Sequence, residues 1–319
     1  MPIPAAPALS QPLLFDPLFM ERIWGGRRLE SLYAKRLPAG ARIGESWEIV
    51  DRPEAQSVVA SGPWRGKTLH ELWLNHRREI FGDIADAPRF PLLIKLLDAQ
   101  EKLSLQVHPP AEVAQEFGGE PKTEFWYIAD ATPDAELFVG LRQAGAREAF
   151  QEALATDSAA GHVHRIPVRA GDAMFLPSGR MHAIGAGNVI VEIQQNSDTT
   201  YRVFDWHRLG DDGQPRQLHI AESMRSIDFD DVEPEVVTPA GESLLRHPLF
   251  NIDRWMLPGP RSAAASGAFV IVACLAGGLS CAGVPIAPGG FLLVPAALED
   301  RMLTPTAEGT SLLRITIGS

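Results

Sequence analysis

The sequence predicts an all-β fold, because short apolar runs separated by glycine and proline dominate the chain after residue 85. The runs recur at fairly regular spacing, which is typical of a β-sandwich or a β-barrel. Their brevity favours strands over long helices. The clearest runs are 91–97, 104–107, 125–128, 136–139, 173–176, 189–193, 270–275 and 291–294.

Three segments with helical character are expected to interrupt these strands. Residues 68–81 (TLHELWLNHRREIF) place apolar side chains at helical spacing after Thr68, a residue type favoured as an N-cap. Residues 110–117 and 144–155 are the other two candidates. The predicted architecture is therefore a β core that carries helical insertions.

The polar stretch 228–242 contains Pro234 and Pro239 and has the composition of a linker. We expect a first domain over residues 1–235 and a smaller β domain over residues 240–319. The chain length of 319 residues suits such a division.

Two short segments indicate an internal repeat. Residues 171–177 (GDAMFLP) and 289–295 (GGFLLVP) both place an apolar strand between a glycine and a proline. The pattern is common enough that chance is an equal alternative to a duplicated β unit. Five residues after the proline, the first copy has His182 and the second has Asp300.

Composition and charge narrow the classes of partner. The formal net charge is -11, and an acidic surface repels nucleic acid and anionic lipid, so we expect neither as a partner. The N-terminus lacks the pattern of a signal peptide, and the two cysteines form no CxxC pair, which favours a cytoplasmic location. The uncharged stretch 262–298 is long enough to span a bilayer, but its many glycines and prolines indicate strands and turns instead.

Polar residues within otherwise apolar strands are the candidates for chemistry. On a strand over LSLQVHPP (103–110), Gln106 and His108 project to one face, which is either a solvent face or a buried site that needs a partner. Lys95 interrupts the apolar run PLLIKLL, where a charge is costly unless it meets a carboxylate or an anionic ligand. Glu192 shares a strand face with Gln194, either toward solvent or toward the interior.

A glycine, proline and histidine pattern links these residues to a known fold. Gly171, Pro177, Gly179 and His182 fit the spacing G-x5-P-x-G-x2-H, which resembles the second motif of the cupin barrels, although Ala186 stands where an asparagine is usual. The first cupin motif is absent in its usual form. In its place are Gln106, His108 and, after fifteen intervening residues, Glu124.

This departure resembles the type I mannose-6-phosphate isomerases, and in particular their short bacterial branch. The similar segments run in order through residues 10–220: GESWEI (44–49), KLLDAQEKLSLQVHP (95–109), KTEFWYI (122–128), PSGRMHAIG (177–185) and YRVFDW (201–206). The resemblance implies a cupin barrel that holds a metal ion, and the segment after the linker matches only in its β character. We expect one metal ion per chain and a cupin-like C-terminal unit without metal, because the second repeat has Asp300 in place of a histidine and no histidine follows His247. The implied metal ligands are Gln106, His108, Glu124 and His182.

Two imidazoles, a carboxylate and an amide oxygen suit Zn²⁺, although Mn²⁺, Fe²⁺ or Co²⁺ could occupy the same ligands. The resemblance further implies a catalytic site with Glu192 in the barrel interior and Arg202 at the reacting carbons. Lys95, Lys122 and Arg202 would supply the positive field that a phosphate requires in an acidic protein.

The expected activity is interconversion of D-mannose 6-phosphate and D-fructose 6-phosphate through a cis-enediol, with a small sugar phosphate as partner and a monomer or homodimer as the assembly. Glu192 is a candidate general base, and nearby histidine and lysine side chains are others. The alternatives are a cupin enzyme of another class, such as an isomerase of another sugar or sugar phosphate or a metal oxygenase, and a non-catalytic sugar-binding cupin. A glutamine and a glutamate among the ligands argue against the oxygenase.

Overall fold

The computed structural model describes residues 8–145, 147–156, 158–210 and 212–318. Within these ranges the strands are β1 Leu18–Gly26, β2 Ile43–Ile49, β3 Leu92–Ala99, β4 Leu105–Val107, β5 Glu124–Ala131, β6 Glu136–Leu141, β7 Val163–Pro167, β8 Ala173–Leu176, β9 His182–Ile184, β10 Asn188–Gln195, β11 Tyr201–Phe204, β12 Ser243–Arg246, β13 Phe250–Met256, β14 Arg261–Ser262, β15 Val270–Ala276, β16 Leu279–Cys281, β17 Val284–Ile286, β18 Phe291–Val294, β19 Met302–Pro305 and β20 Ser311–Ile317. The helices are α1 Arg28–Tyr33, α2 Leu69–Asn75, α3 Arg77–Phe81, α4 Ala111–Phe117, α5 Arg147–Ala155 and α6 Ile220–Ser226, with a 3₁₀ turn at Ala159–His162.

The strands form four sheets, and every pairing within them is antiparallel. A six-stranded sheet has the order β1-β2-β3-β10-β5-β8, and a five-stranded sheet has the order β11-β4-β9-β6-β7. The C-terminal unit has a five-stranded sheet, β12-β13-β20-β15-β18, and a four-stranded sheet, β14-β19-β16-β17. The predicted all-β cupin class is confirmed.

The predicted strands are present, and most extend one to three residues beyond the predicted runs. The predicted helix 68–81 is instead two helices, because His76 leaves helical geometry (φ −133°, ψ 28°) and its ring packs edge-on against Trp64. Its N-terminus is as expected: the Thr68 hydroxyl accepts from the Glu71 N–H, and the Glu71 carboxylate accepts from the Thr68 N–H. The third predicted helix begins at Arg147, and Ala146 lies outside the described residues.

Strand β10 of the six-stranded sheet is buried on both faces. Val189, Val191 and Ile193 enter the core that is shared with the C-terminal unit, whereas Ile190 enters a separate core between the two N-terminal sheets. Glu192 and Gln194 lie on the Ile190 face and are buried. The alternation of β10 therefore carries polar side chains into the interior of the barrel.

The repeat segments occupy equivalent positions. β8 and β18 are edge strands of their sheets. β8 pairs with β5, the neighbour of the long strand β10, and β18 pairs with β15, the neighbour of the long strand β20. The two units share a core in which Phe81 and Phe90 contact Phe269 at ring distances of 5.5 and 5.9 Å. Division at residues 235–240 stays a prediction.

The uncharged stretch 262–298 forms strands, as its glycines and prolines predicted. Among the described residues no helix has the length and apolar character needed to cross a membrane. Cys274 and Cys281 are buried free thiols.

Candidate metal centre and catalytic cleft

One wall of the site is a row of side chains that crosses the five-stranded sheet. Gln106 on β4 pairs with His182 on β9 at one side and with Arg202 on β11 at the other. Residues directly opposite in an antiparallel pair project to the same face. The register therefore aligns a histidine, an amide and a guanidinium, although the three residues are far apart in sequence.

The opposite wall is an equivalent row on the six-stranded sheet. Glu192 on β10 pairs with Lys95 on β3 and with Trp126 on β5. The Lys95 ammonium lies 3.4 Å from the Glu192 carboxylate and 3.6 Å from that of Glu45. Lys95 is therefore paired with carboxylates. A carboxylate or an anionic ligand was the expected partner for a lysine within an apolar run, and the structure shows the first of these.

Three buried residues between these walls form a group with metal-ligand chemistry. The ligand atoms of His108, Glu124 and His182 lie within 4.8 Å of one another, and this is the one such group of three or more among the described residues. The Nδ1 atoms of both histidines lie 2.9 Å from backbone carbonyl oxygens, of Thr199 and Arg180 respectively. Each Nδ1–H donates to its carbonyl, which leaves the Nε2 lone pair directed into the cluster.

Buried polar atoms without hydrogen-bond partners indicate that the cluster needs a cation. His108 Nε2 and Glu124 Oε1 are fully buried and have no hydrogen-bond partner among the described residues, yet they contact one another. Gln106 adds an amide whose Nε2 lies 3.3 Å from His182 Nε2, and rotation about its last bond would present the oxygen there. The donor set of these four residues fits a divalent metal ion.

Electrostatics favour the ligand-competent protonation states. Burial, followed by the charge of Lys122, lowers the pKa of His108, and burial lowers the pKa of His182 to about 4. Burial opposes ionisation of Glu124, but Lys122 and His182 bring its pKa down to about 2. Neutral imidazoles and an ionised carboxylate are the forms that bind a metal.

Glu192 is perturbed in the opposite direction. Burial, together with repulsion from the neighbouring Glu124, raises its pKa to about 7. Burial opposes the charged form of Lys95, but the carboxylates of Glu45 and Glu192 raise its pKa above the ordinary value. A carboxyl group that titrates near neutral pH is suited to accept and return a proton.

The cluster opens into a cleft of about 380 Å³, and Lys95, Gln106, Lys122, Glu192 and Arg202 all line it. The structure thus brings every predicted site residue to one place. It adds residues that sequence reasoning missed, namely Arg22, Glu45, Trp126 and Arg216. Nothing in their local sequence marks Arg22 or Arg216, whereas Glu45 and Trp126 lay in segments noted only for their similarity to a family. A larger hollow of about 560 Å³ near Ser10 and Glu79 lies away from the cluster.

Two arginines form the basic end of the cleft. Arg216 donates from Nε and Nη2 to the two oxygens of Asp205 at 2.6 and 2.5 Å. Arg202 donates from Nη1 to the Gln217 carbonyl, and its buried Nε has no hydrogen-bond partner in the described part of the chain. Burial, followed by repulsion from Arg216, lowers the pKa of Arg202. The unpaired donors and the neighbouring positive charges favour an anion at this end.

The fold and the site together define a cupin-type protein whose buried His-Glu-His group opens into a partly basic cleft. Residues 13–152 match the family model described as phosphomannose isomerase type I, catalytic domain. Mannose-6-phosphate isomerase ManA of Bacillus subtilis is 37% identical over 313 residues, which cover 94% of this chain and 98% of that protein. Mannose-6-phosphate isomerase of Streptococcus mutans is 38% identical over 278 residues, covering 84% and 86%.

Solved structures agree with the sequence relatives. The crystal structure of mannose 6-phosphate isomerase from Bacillus subtilis matches with a TM-score of 0.85 at 34% identity and covers 96% of this chain and 100% of that one. A putative mannosephosphate isomerase from Archaeoglobus fulgidus, at 21% identity and a TM-score of 0.79, shares the fold and covers 98% and 100%. The chain belongs to the mannose-6-phosphate isomerase family, and the prediction that it is an isomerase is confirmed.

Proposed function

We propose that this chain interconverts D-mannose 6-phosphate and D-fructose 6-phosphate by moving a proton between C1 and C2 through a cis-enediol. The observation that carries the proposal is the placement of Glu192 and Arg202 on facing walls of one cleft. Gln106 and Lys122 also line this cleft and contact His182 and Glu124 of the metal cluster. Kinship with mannose-6-phosphate isomerases supports the substrate.

The metal would be held by Gln106, His108, Glu124 and His182. When bound, a divalent cation supplies Lewis-acid polarisation of the sugar oxygens. Two nitrogen and two oxygen ligands favour Zn²⁺, and other divalent ions of the same preference could replace it. We propose one metal per chain, because the described residues contain one group of this kind.

Glu192 is the proposed general base. Its carboxylate faces the cleft and is 4% exposed, and burial raises its pKa above the ordinary glutamate value, which suits a group that accepts and returns a proton. The Lys95 ammonium, 3.4 Å away, holds one carboxylate oxygen in place. Lys122, whose ammonium lies 3.4 Å from Glu124, is the second cation near the reacting carbons and would interact with sugar hydroxyl groups.

Arg202 is the proposed partner of the negative charge that develops on the enediolate. It pairs across the ladder with Gln106, so its backbone lies one strand, about 4.8 Å, from that of a proposed metal ligand, on the same face of the sheet. The phosphate would lie further out, between Arg202 and Arg216. Lys95 contributes less to phosphate binding than the sequence suggested, because it is already paired with two carboxylates.

The remaining assignments follow from the same features. Buried free thiols suit a reducing compartment, so we propose a cytoplasmic enzyme. It would act on a small sugar phosphate as a monomer or homodimer.

The direct test is an isomerase assay on mannose 6-phosphate, with glucose 6-phosphate and unphosphorylated mannose as comparison substrates. The proposal expects turnover of mannose 6-phosphate well above both comparisons, and a fall of about 10²–10⁴ in kcat for Glu192→Gln, which preserves shape but removes the base. Preference for another sugar, or equal kcat in Glu192→Gln, would contradict the proposal. Full metal content without turnover of any sugar would indicate a sugar-binding cupin.

A further inference from the structure

The indole of Trp126 lies between two carboxyl groups of the site. Its Nε1–H donates to Glu192 Oε1 at 2.9 Å and to Glu124 Oε2 at 3.2 Å, and the side chain is fully buried. The ring also meets the His182 ring edge-on at a centroid distance of 5.1 Å. One side chain therefore touches two of the proposed metal ligands and the proposed base.

The shared N–H gives the two carboxylate oxygens of Glu124 different environments. Oε2 accepts from Trp126, whereas Oε1 faces the histidines and has no hydrogen-bond partner in the described residues. A carboxylate with one oxygen occupied in this way presents the other oxygen in a fixed direction. Hydrogen-bonded partners of metal-binding carboxylates orient them and tune their affinity.

The same N–H fixes Glu192 from the side opposite Lys95. Glu192 Oε1 accepts from Trp126, and Oε2 lies 3.4 Å from the Lys95 ammonium. The cross-strand register of β3, β10 and β5 places these three residues side by side. The Trp126 N–H thus supplies a fixed donor to two adjacent carboxyl groups, Glu124 and Glu192, that also interact directly with one another.

We propose that Trp126 is a positioning residue whose single N–H holds Glu124 for the metal and Glu192 for proton transfer. The part that concerns Glu192 rests on the proposed isomerase function, whereas the part that concerns Glu124 does not. Packing of the ring is a separate contribution, because phenylalanine keeps an aromatic ring but is smaller than the indole, so Trp126→Phe removes the donor and also leaves a cavity.

The chain contains a matched control for this experiment. Trp73 is also fully buried, and its Nε1–H donates to the backbone carbonyl of Ala87 at 2.8 Å. Trp73→Phe therefore removes one indole hydrogen bond at a residue outside both the metal cluster and the cleft. Both variants replace a buried indole by a smaller ring, so an effect of packing alone appears in both.

The experiment compares Trp126→Phe and Trp73→Phe for Zn²⁺ affinity, by competition with a chromogenic chelator, and for kcat and KM at saturating Zn²⁺. For Trp126→Phe we expect about 10-fold weaker Zn²⁺ binding and about a 10- to 100-fold lower kcat, with KM changed by less than about threefold. For Trp73→Phe we expect changes below about threefold in all three quantities.

Equal Zn²⁺ affinity and equal kcat in the two variants would overturn the inference, even if both unfold at lower temperature than the wild type. A wild-type protein that fails to convert mannose 6-phosphate would instead refute the proposed function. Zn²⁺ affinity would still decide whether Trp126 positions Glu124.

Discussion

Replacement of Arg216 by glutamine tests where the phosphate binds. The Arg216 guanidinium is already ordered by two hydrogen bonds to Asp205, and Nη1 has no hydrogen-bond partner among the described residues, so its N–H groups are available to the cleft. Loss of a hydrogen bond to a charged group costs about 1.5–3 kcal/mol. At about 1.4 kcal/mol for each factor of ten, KM for mannose 6-phosphate should rise about 10- to 100-fold, with little change in kcat.

Distances in the sheet agree with this role. Phe204 pairs with Leu105, so the next residue, Asp205, lies about one strand and two residues from Gln106, or about 8 Å. An extended hexose phosphate spans about 8–9 Å from C1 to phosphorus at about 1.5 Å per carbon–carbon bond. A sugar with its carbonyl end at the metal cluster would therefore extend as far as Asp205, to which Arg216 is hydrogen-bonded.

Arg208→Gln is the control, because Arg208 also donates to Asp205 at 2.6 Å but lines a neighbouring hollow and not the cleft. Steady-state kinetics on mannose 6-phosphate, with inorganic phosphate as a competitive inhibitor, measures both variants. Equal KM and equal inhibition constants for Arg216→Gln and Arg208→Gln would refute a phosphate contact at Arg216. A fall in kcat with unchanged KM would place Arg216 at the reacting carbons instead.

Four further predictions concern the metal, the enediolate, acid stability and the C-terminal unit. His182→Ala should lose bound metal and activity together, since it removes one of two nitrogen ligands; elemental analysis that finds full occupancy would exclude it as a ligand. Arg202→Ala should lower kcat by about 10²–10³ while metal content holds, and a change in KM alone would make Arg202 a phosphate anchor. Burial opposes ionisation of Glu45, but Lys95 and Arg22 lower its pKa from 4.5 to about 2, so its contribution to the free energy of unfolding, about 3 kcal/mol, is present above pH 4.5 and disappears as the pH falls through 2. Denaturant titrations of metal-free wild type and Glu45→Gln should therefore differ more at pH 6 than at pH 3, and a pH-independent difference would contradict this account. Truncation after residue 240 should give insoluble or inactive protein, because it exposes the core shared with the C-terminal unit; a soluble, fully active fragment would show that the unit is dispensable.

Local sequence predicted much of the fold because strand signals are local. Alternation and breaking residues marked the strands, and the alternation around Glu192 predicted that it shares a face with Gln194. The break at His76 depends on its contact with Trp64, twelve residues away, which no helical periodicity records. The sharing of a core between the two units likewise depends on contacts between distant segments.

Sequence similarity located the candidate site, and the register of the sheets explains which site residues the similarity did not reveal. Gln106, His108, Glu124 and His182 were found through a family pattern, and the structure brings them together at one place. Trp126 and Arg216 were missed because their importance comes from pairing with residues far along the chain: Glu192 for Trp126, and a turn after β11 for Arg216. An N–H shared by two carboxylates has no signature in a linear sequence.

The most direct test of the central claim is an isomerase assay on mannose 6-phosphate, with metal analysis of the same sample before and after chelation. The account predicts one divalent metal per chain in the active protein, loss of fructose 6-phosphate formation in step with metal removal, and recovery when Zn²⁺ is restored. Undiminished isomerisation by metal-free protein, or two tightly held metals per chain, would contradict it.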